Sequence, residues 1–288
     1  MNRRNLWIGA AAAALSLALT ACGGSAAPAP APGAAPTPTP AKLSGKVTAG
    51  GSTALLPLVK AAGDEFQDKN PDVTINSSGG GSFTGMKLVA EGSVNIGMSD
   101  VDLPSDLQGK DALVDTKVCI APFLIITNKD VTVDNLTQDQ LISIFTGKTT
   151  NWKDVGGKDE PIAIIHRAAS SGSRATIKAL VLKGQEFTDK ATIQDANGSV
   201  RTAIAAAPGS IGYVDAAYLD SSVKALKYNG VEYTADNVKS GKYPVFAYEH
   251  IYTKGQPTGV VKAFVDYVMS ADFQNRNVPK LGFVPLSK

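Results

Sequence analysis

Lys46-Val47-Thr48-Ala49-Gly50-Gly51-Ser52-Thr53-Ala54-Leu55-Leu56-Pro57-Leu58 holds a strand, a turn and a helix start in one short stretch. Lys46 to Ala49 reads as the strand and Gly50 to Thr53 as the turn. Leu55, Leu56, Val59, Ala62 and Phe66 then fall at helical spacing. The order recurs downstream. Val73 to Ile75 reads as a strand, Ser77 to Ser82 as a glycine-rich turn and Gly85 to Gly92 as a short helix. Asn95 to Ser99 is a further strand ending at Asp100. Strands that alternate with helices in this way predict an α/β fold on a parallel sheet.

Working outward, Val118 to Ile126 is a continuous apolar run and reads as a buried strand. Leu136-Thr137-Gln138-Asp139-Gln140-Leu141 marks a helix start, with Thr137 as cap, Gln140 closing a capping box and Leu136 stapled onto Leu141. Phe145 continues the apolar face of that helix, and Gly147 ends it. Ile162 to Ile165 predicts a strand, His166 to Arg174 a polar turn and Ala175 to Leu182 a helix. Val200 to Ala207 predicts a helix, Ile211 to Val214 a buried strand, Val245 to Tyr252 another strand, and Val260 to Met269 an amphipathic helix closing the chain. Two long β-rich segments, Val118 to Thr127 and Tyr243 to Thr253, are placed to cross between two lobes.

The N-terminal residues stand apart from this pattern. Asn2-Arg3-Arg4 is a positive leader start, and Leu6 to Leu19 is an apolar run too short for a comfortable membrane span. Leu19-Thr20-Ala21-Cys22 has the form of a bacterial lipobox, which predicts a signal peptide over 1–21 and a lipid anchor on Cys22. The Ala/Pro-rich stretch within 22–44 has nothing to bury and reads as a semi-extended spacer. Cys119, left without a partner, is expected to be a core thiol.

Composition excludes several classes. The 288 residues carry 28 Lys and Arg against 26 Asp and Glu. Removing Arg3 and Arg4 of the leader leaves 26 against 26, so the strongly basic footprint of a nucleic-acid binder is missing. Two Cys and two His cannot build a zinc finger, an iron–sulfur site or a disulfide framework. No metal, cofactor or catalytic residue is expected.

The chemistry-bearing pattern is a repeated one. Ser52-Thr53, Gly79-Gly80-Gly81-Ser82 and Ser170-Ser171-Gly172-Ser173 each fall where a strand gives way to a helix. Helix N-termini present unsatisfied N–H groups and a positive dipole end. Glycine admits close backbone approach, and hydroxyls add donors. With Arg167 nearby, three such turns in an open α/β sheet describe an anion site. Gly80 and Gly85 have P-loop spacing, but Met86 follows where a P-loop has lysine. Thr84 likewise spoils a nucleophile elbow. His166, next to Arg167, either borders the site or is a satisfied structural group.

From Gly45 onward the chain resembles the substrate-binding lipoproteins of bacterial phosphate ABC transporters. The matching pieces are Ala49 to Leu58, Gly79-Gly80-Gly81-Ser82, Asn95-Ile96-Gly97-Met98-Ser99-Asp100, Phe145-Thr146-Gly147-Lys148 with Asn151-Trp152, Arg167 through Arg174, and Gly209-Ser210-Ile211-Gly212-Tyr213. The resemblance implies the two-lobe type II periplasmic-binding-protein fold, with the ligand in the cleft between lobes. Lobe 1 would be 45–120 plus 249–288 and lobe 2 would be 121–248. It implies an exported, lipid-anchored monomer that binds inorganic phosphate and delivers it to a membrane permease and its ATPase. The protein would perform no catalysis. It puts Thr53, the N–H of Ala54, Ser82, Asp100, Arg167, Ser171, Gly172 and Ser173 on the anion. Ser173 stands where Thr is usual, Ala168-Ala169 replaces a more polar pair, and Phe83 stands where a small residue is common and would narrow the cleft. A carboxylate such as Asp100 repels an anion unless the ligand donates a proton, which phosphate does and sulfate cannot. Sulfate, molybdate or tungstate binding stays open at this point, as does, further off, phosphoester hydrolysis.

Overall fold

In the computed structural model, which describes residues 42–286, the opening stretch folds as its residues predict. The strand β1 (Gly45–Gly51) leads into the helix α1 (Leu56–Lys69), and β2 (Val73–Ser78), α2 (Ser82–Glu91) and β3 (Ile96–Ser99) follow. β1 lies between β2 and β3 and is parallel to both. α1 buries Leu58, Val59, Ala62 and Phe66, the stripe its spacing marked. Pro57 occupies its first turn, where a missing N–H costs nothing. The predicted signal peptide (1–21), Cys22 and most of the 22–44 spacer lie outside the described residues. No described helix is long and apolar enough to cross a membrane.

The strand β4 (Leu113–Thr127) joins the two halves of the molecule. Beyond it come β5 (Asn135–Leu136), α3 (Gln138–Phe145), β6 (Ala163–Arg167), α4 (Gly172–Leu180), β7 (Thr192–Gln194), α5 (Asn197–Ala206) and β8 (Ser210–Asp215). The short β9 (Lys224–Ala225), β10 (Lys227–Tyr228) and α6 (Ala235–Lys239) precede β11 (Phe246–Lys254), α7 (Gly259–Val268) and α8 (Ala271–Lys280). The main sheet has nine strands in the order β2-β1-β3-β11-β4-β8-β6-β7, with β9 also on β4. β11 lies antiparallel to both β3 and β4. β4 pairs with β11 from Leu113 to Pro122, then with β8 from Phe123 to Thr127. Pro122 has no N–H to give to a ladder, and the strand exchanges partners there.

The sheet is therefore mixed, where strand–helix alternation predicted a parallel one. Each half is parallel within itself, β2-β1-β3 on one side and β8-β6-β7 on the other, and the antiparallel β4 and β11 connect them. Two parallel half-sheets joined by two antiparallel strands agree with the two-lobe arrangement that the resemblance implies. Three predicted boundaries move. α2 begins at Ser82, three residues before Gly85. The supposed polar turn from His166 to Arg174 shrinks, because β6 runs through His166 and Arg167 and α4 starts at Gly172. α7 does not close the chain, since α8 follows it. The Thr137–Gln140 capping box forms in both directions.

Apolar side chains from both halves form a main core that includes Leu55, Leu58, Phe123, Ile126, Phe145, Trp152, Tyr213, Phe264 and Phe273. Cys119 belongs to it, and burial pushes its thiol pKa far up. A smaller cluster gathers Met86, Val89 and Tyr252 with Phe83 against them. α2 rests directly on the backbone of β1 and β3. A Cβ on Gly85 would lie 2.5 Å from the Gly50 carbonyl and 2.6 Å from the Gly51 Cα, and neither can rotate away. Gly85→Ala is accordingly expected to destabilise the fold by roughly 1–3 kcal/mol despite the better helix former. Urea denaturation checks this, and an unchanged midpoint would refute the backbone contact.

Candidate anion-binding site

Three turns at strand ends converge on one buried place, and each is positioned by its own local chemistry. After β1, the Ser52 Oγ accepts from the N–H groups of Ala54 (3.0 Å) and Leu55 (3.1 Å), curling the chain into α1. The Ala54 N–H expected on the anion is thus engaged by Ser52. The neighbouring Thr53 Oγ1 accepts from the Asn197 N–H (3.3 Å) and Nδ2 (3.1 Å), and the Thr53 carbonyl accepts from the Tyr218 hydroxyl (2.6 Å). Thr53 is thereby tied to the far half of the molecule with its own hydroxyl proton still to give.

Ser82 is the first residue of α2, and Asp100 directly follows β3. The Ser82 Oγ accepts from the Asp100 N–H at 3.0 Å and donates to the Asp100 Oδ1 at 3.2 Å. The Asp100 Oδ2 accepts from the Ser173 Oγ at 2.8 Å. One carboxylate therefore takes a hydroxyl from each half. Arg167, at the end of β6, is only 1% exposed. Its Nη2 donates to the Asp195 carbonyl (2.8 Å), its Nη1 reaches the Ser173 Oγ at 3.5 Å, and its Nε has no hydrogen-bond partner among the described residues. Burial pushes the guanidinium pKa down, and the Asp100 charge opposes that. Ser171 caps α4 by accepting from the Arg174 N–H (3.1 Å), which leaves its hydroxyl proton free to point elsewhere.

Backbone closeness explains the glycines. A Cβ on Gly172 would sit 2.2 Å from the Ser82 Oγ, and one on Gly81 would sit 2.4 Å from the Ser170 carbonyl. Phe83 donates its N–H to that same carbonyl at 3.2 Å. The two loops meet backbone against backbone, with room for no side chain.

Other expectations resolve differently. The Phe83 ring does not narrow the cleft; it packs on the Met86–Val89–Tyr252 cluster. His166 is a satisfied structural group. Its Nδ1 lies 3.0 Å from the Arg167 carbonyl and 2.9 Å from the Arg174 Nη1, its ring lies against Phe187, and burial lowers its pKa. His250 sits between Asp115 (2.9 Å from Nδ1) and Asp102 (3.6 Å from Nε2). These three could share a cation, but their opposed placement on the two ring nitrogens reads as a tie between the segment after β3 and β4. Asn197, Tyr213 and Tyr218 escaped the sequence reading. The Tyr213 hydroxyl accepts from the Arg167 N–H at 3.2 Å. Asn197 had a legible signal, since Asp195-Ala196-Asn197-Gly198 is a fourth polar turn opening a helix.

Two further buried acids flank the site. The Asp215 Oδ1 accepts from the Ala217 N–H at 2.8 Å, while its Oδ2 is unpartnered; both oxygens of Glu249 are unpartnered among the described residues. Both acids are fully buried, and burial raises each pKa well above its ordinary value, reinforced by the negative charge of Asp100.

Serine, threonine and backbone donors gathered around a buried arginine are what an enclosed oxyanion requires, and relatives of known fold bear on it. Residues 36–272 match the model of the PBP superfamily domain. The chain belongs to this superfamily, among the phosphate-binding proteins of ABC transporters. It is 44% identical over 249 residues to the phosphate-binding protein PstS of Bacillus subtilis, covering 85% of this chain and 82% of that one. PstS of Borreliella burgdorferi is 27% identical over 241 residues, covering 80% and 86%. A Clostridium perfringens structure described as a phosphate ABC transporter substrate-binding protein with bound phosphate superposes with a TM-score of 0.80 at 32% identity. That match covers 84% of this chain and all of the other. An ABC-type phosphate transport receptor from Vibrio cholerae gives 0.69 at 25% identity, over 83% of this chain and all of the other.

The close loop contact is open to a direct test. Gly172→Ala is expected to weaken phosphate binding by roughly tenfold or more, about 1.4 kcal/mol. The added carbon collides with Ser82, so the variant should also lose any compaction on adding phosphate in small-angle scattering. Full affinity with unchanged scattering would refute the contact.

Proposed function

We propose that the chain captures inorganic phosphate between its two lobes through Arg167, Thr53, Ser82, Ser171, Ser173 and the N–H groups at the start of α4, with Asp100 reading the ligand's proton. It is the extracytoplasmic phosphate-binding component of an ABC importer and performs no catalysis. The observation that carries the site assignment is the buried Arg167, whose Nε lacks a partner among the described residues while hydroxyls of both lobes meet the adjacent carboxylate.

The steps follow from the groups present. A tetrahedral oxyanion entering the site exchanges water for hydroxyl and backbone donors already fixed by the ends of α2 and α4. The Arg167 guanidinium supplies the compensating charge, strongest where water is excluded. Asp100, when ionised, only accepts. Its two oxygens each take one serine hydroxyl and retain lone pairs for a phosphate O–H. Sulfate has no such proton and would set charge against charge. Closure brings the two loops together and creates the outer shape that a permease and its ATPase would recognise.

The lobe limits fit this motion. The boundary proposed between 120 and 121 lies beside the partner exchange of β4 at Pro122, and the one before 249 lies at the register shift between Glu249 and His250 in β11. The lipid anchor on Cys22, the spacer that follows it and a monomeric state complete the proposal. The anchor and spacer rest on the lipobox pattern and composition of the N-terminal residues, and the monomeric state rests on the family resemblance.

Two calorimetric titrations test it. Arg167→Ala should weaken phosphate binding by well over tenfold, since an arginine–oxyanion pair is charge-assisted and often bidentate. Unchanged affinity would remove Arg167 from the site. Asp100→Asn should relax the preference for phosphate over sulfate and molybdate, and unaltered selectivity would count against proton reading by Asp100.

A further inference from the structure

Glu249 has no place in the capture just described, yet it lies at the centre of the molecule. It sits on β11 at the register shift where the two lobes join, opposite Cys119 of β4. It is 0% exposed, and neither carboxyl oxygen has a hydrogen-bond partner among the described residues. The ionisable groups that face it come from the neighbouring strand ends: Asp100 after β3, Asp215 at the end of β8 and the Cys119 thiol. The single buried cation nearby, Arg167 of β6, is set against Asp100. His250, the next residue, is engaged with Asp115 and Asp102 instead. An ionised carboxylate in this position would have no donor and would face other acids. With Asp100, Asp215 and Glu249 all ionised, one guanidinium would confront three negative charges before any anion arrived.

We propose that Glu249 is a positioning residue of the phosphate site, a neutral carboxylic acid behind Asp100 whose retained proton is required for the anion to bind. Asp100 is then the one charged acceptor presented to the ligand. Proton and phosphate bind cooperatively: as pH rises and Glu249 ionises, a new negative charge enters the site and affinity falls. By linkage, bound phosphate strengthens the hold of Glu249 on its proton. The phosphate itself contacts Arg167 and the hydroxyls, so Glu249 acts through Asp100 and the charge of the site.

This inference rests on the assignment of phosphate to the Arg167–Asp100 site, and the experiment separates the two. Phosphate affinity of the full soluble protein is measured by calorimetry from pH 7 to pH 10 for the wild type, Glu249→Gln and Arg167→Ala. The ligand's own ionisation is common to all and cancels in the comparison. Glu249→Gln, neutral at every pH, should bind within about threefold of wild type at pH 7, and its affinity should then fall roughly tenfold less on the way to pH 10. It should also take up fewer protons per phosphate bound at pH 9, read from titrations in buffers of different ionisation enthalpy. Should the amide variant fail to fold, Glu249→Met, neutral and of similar size, serves the same comparison. Parallel pH profiles with equal proton uptake would overturn the proposal while Arg167→Ala still abolished binding. If Arg167→Ala bound phosphate normally, the site assignment itself would fall, and Glu249 with it.

Discussion

A buried guanidinium facing a buried carboxylate, with little other charge to satisfy either, is the constraint on which this architecture turns. Arg167 is cut off from water, and Asp100 receives one hydroxyl from each lobe. Such a pair is stable only where geometry replaces solvation completely. The fold supplies that geometry through three helix starts, those of α1, α2 and α4, each preceded by a strand that aims it. The glycines at 81 and 172 then let the two loop backbones approach within contact of each other's polar atoms. Residues 22–288 carry 26 Lys and Arg against 26 Asp and Glu, so local donors, and not a long-range field, are what this fold offers an anion.

Much of this was legible in the residues because it rests on local rules. Turn chemistry and hydrophobic spacing marked β1, α1 and the capping box of α3. The hydroxyl and glycine turns marked the loops that packing brings together around Asp100. What escaped is what local pattern cannot encode. Strand direction depends on the partner, so the run from Val118 to Ile126 revealed burial but not its antiparallel neighbours. β7 has three residues and gives almost no periodicity, so the polar turn that carries Asn197 has no visible strand before it. Glu249 and Asp215 carry no signal of their own, since a carboxylate within a β-run usually marks the solvent face. Their full burial arises because two sheets' worth of strands meet at the joint, a tertiary fact.

The departures from expectation also share a cause. α2 and α4 both start earlier than their apolar residues suggested, because glycine and serine at their first turns already have helical geometry. Those first turns carry Ser82, Gly172 and Ser173, which meet one another and Asp100 across the two halves. The Phe83 side chain, by contrast, follows the ordinary rule and joins a hydrophobic cluster on the outer side of α2, leaving only its backbone at the junction.

The bonds that Thr53 makes to Asn197 and Tyr218 belong to neither the ligand nor the joint, yet they hold the two lobes together directly. They add a ligand-independent term to the equilibrium between open and shut forms. A binding protein of this kind has an apparent affinity equal to its intrinsic affinity scaled by the fraction of molecules already shut. Under the proposed capture by closure, Tyr218 and Asn197 would therefore set how much phosphate must be present before capture through Thr53 alone, without contact to Ser82 or Ser173.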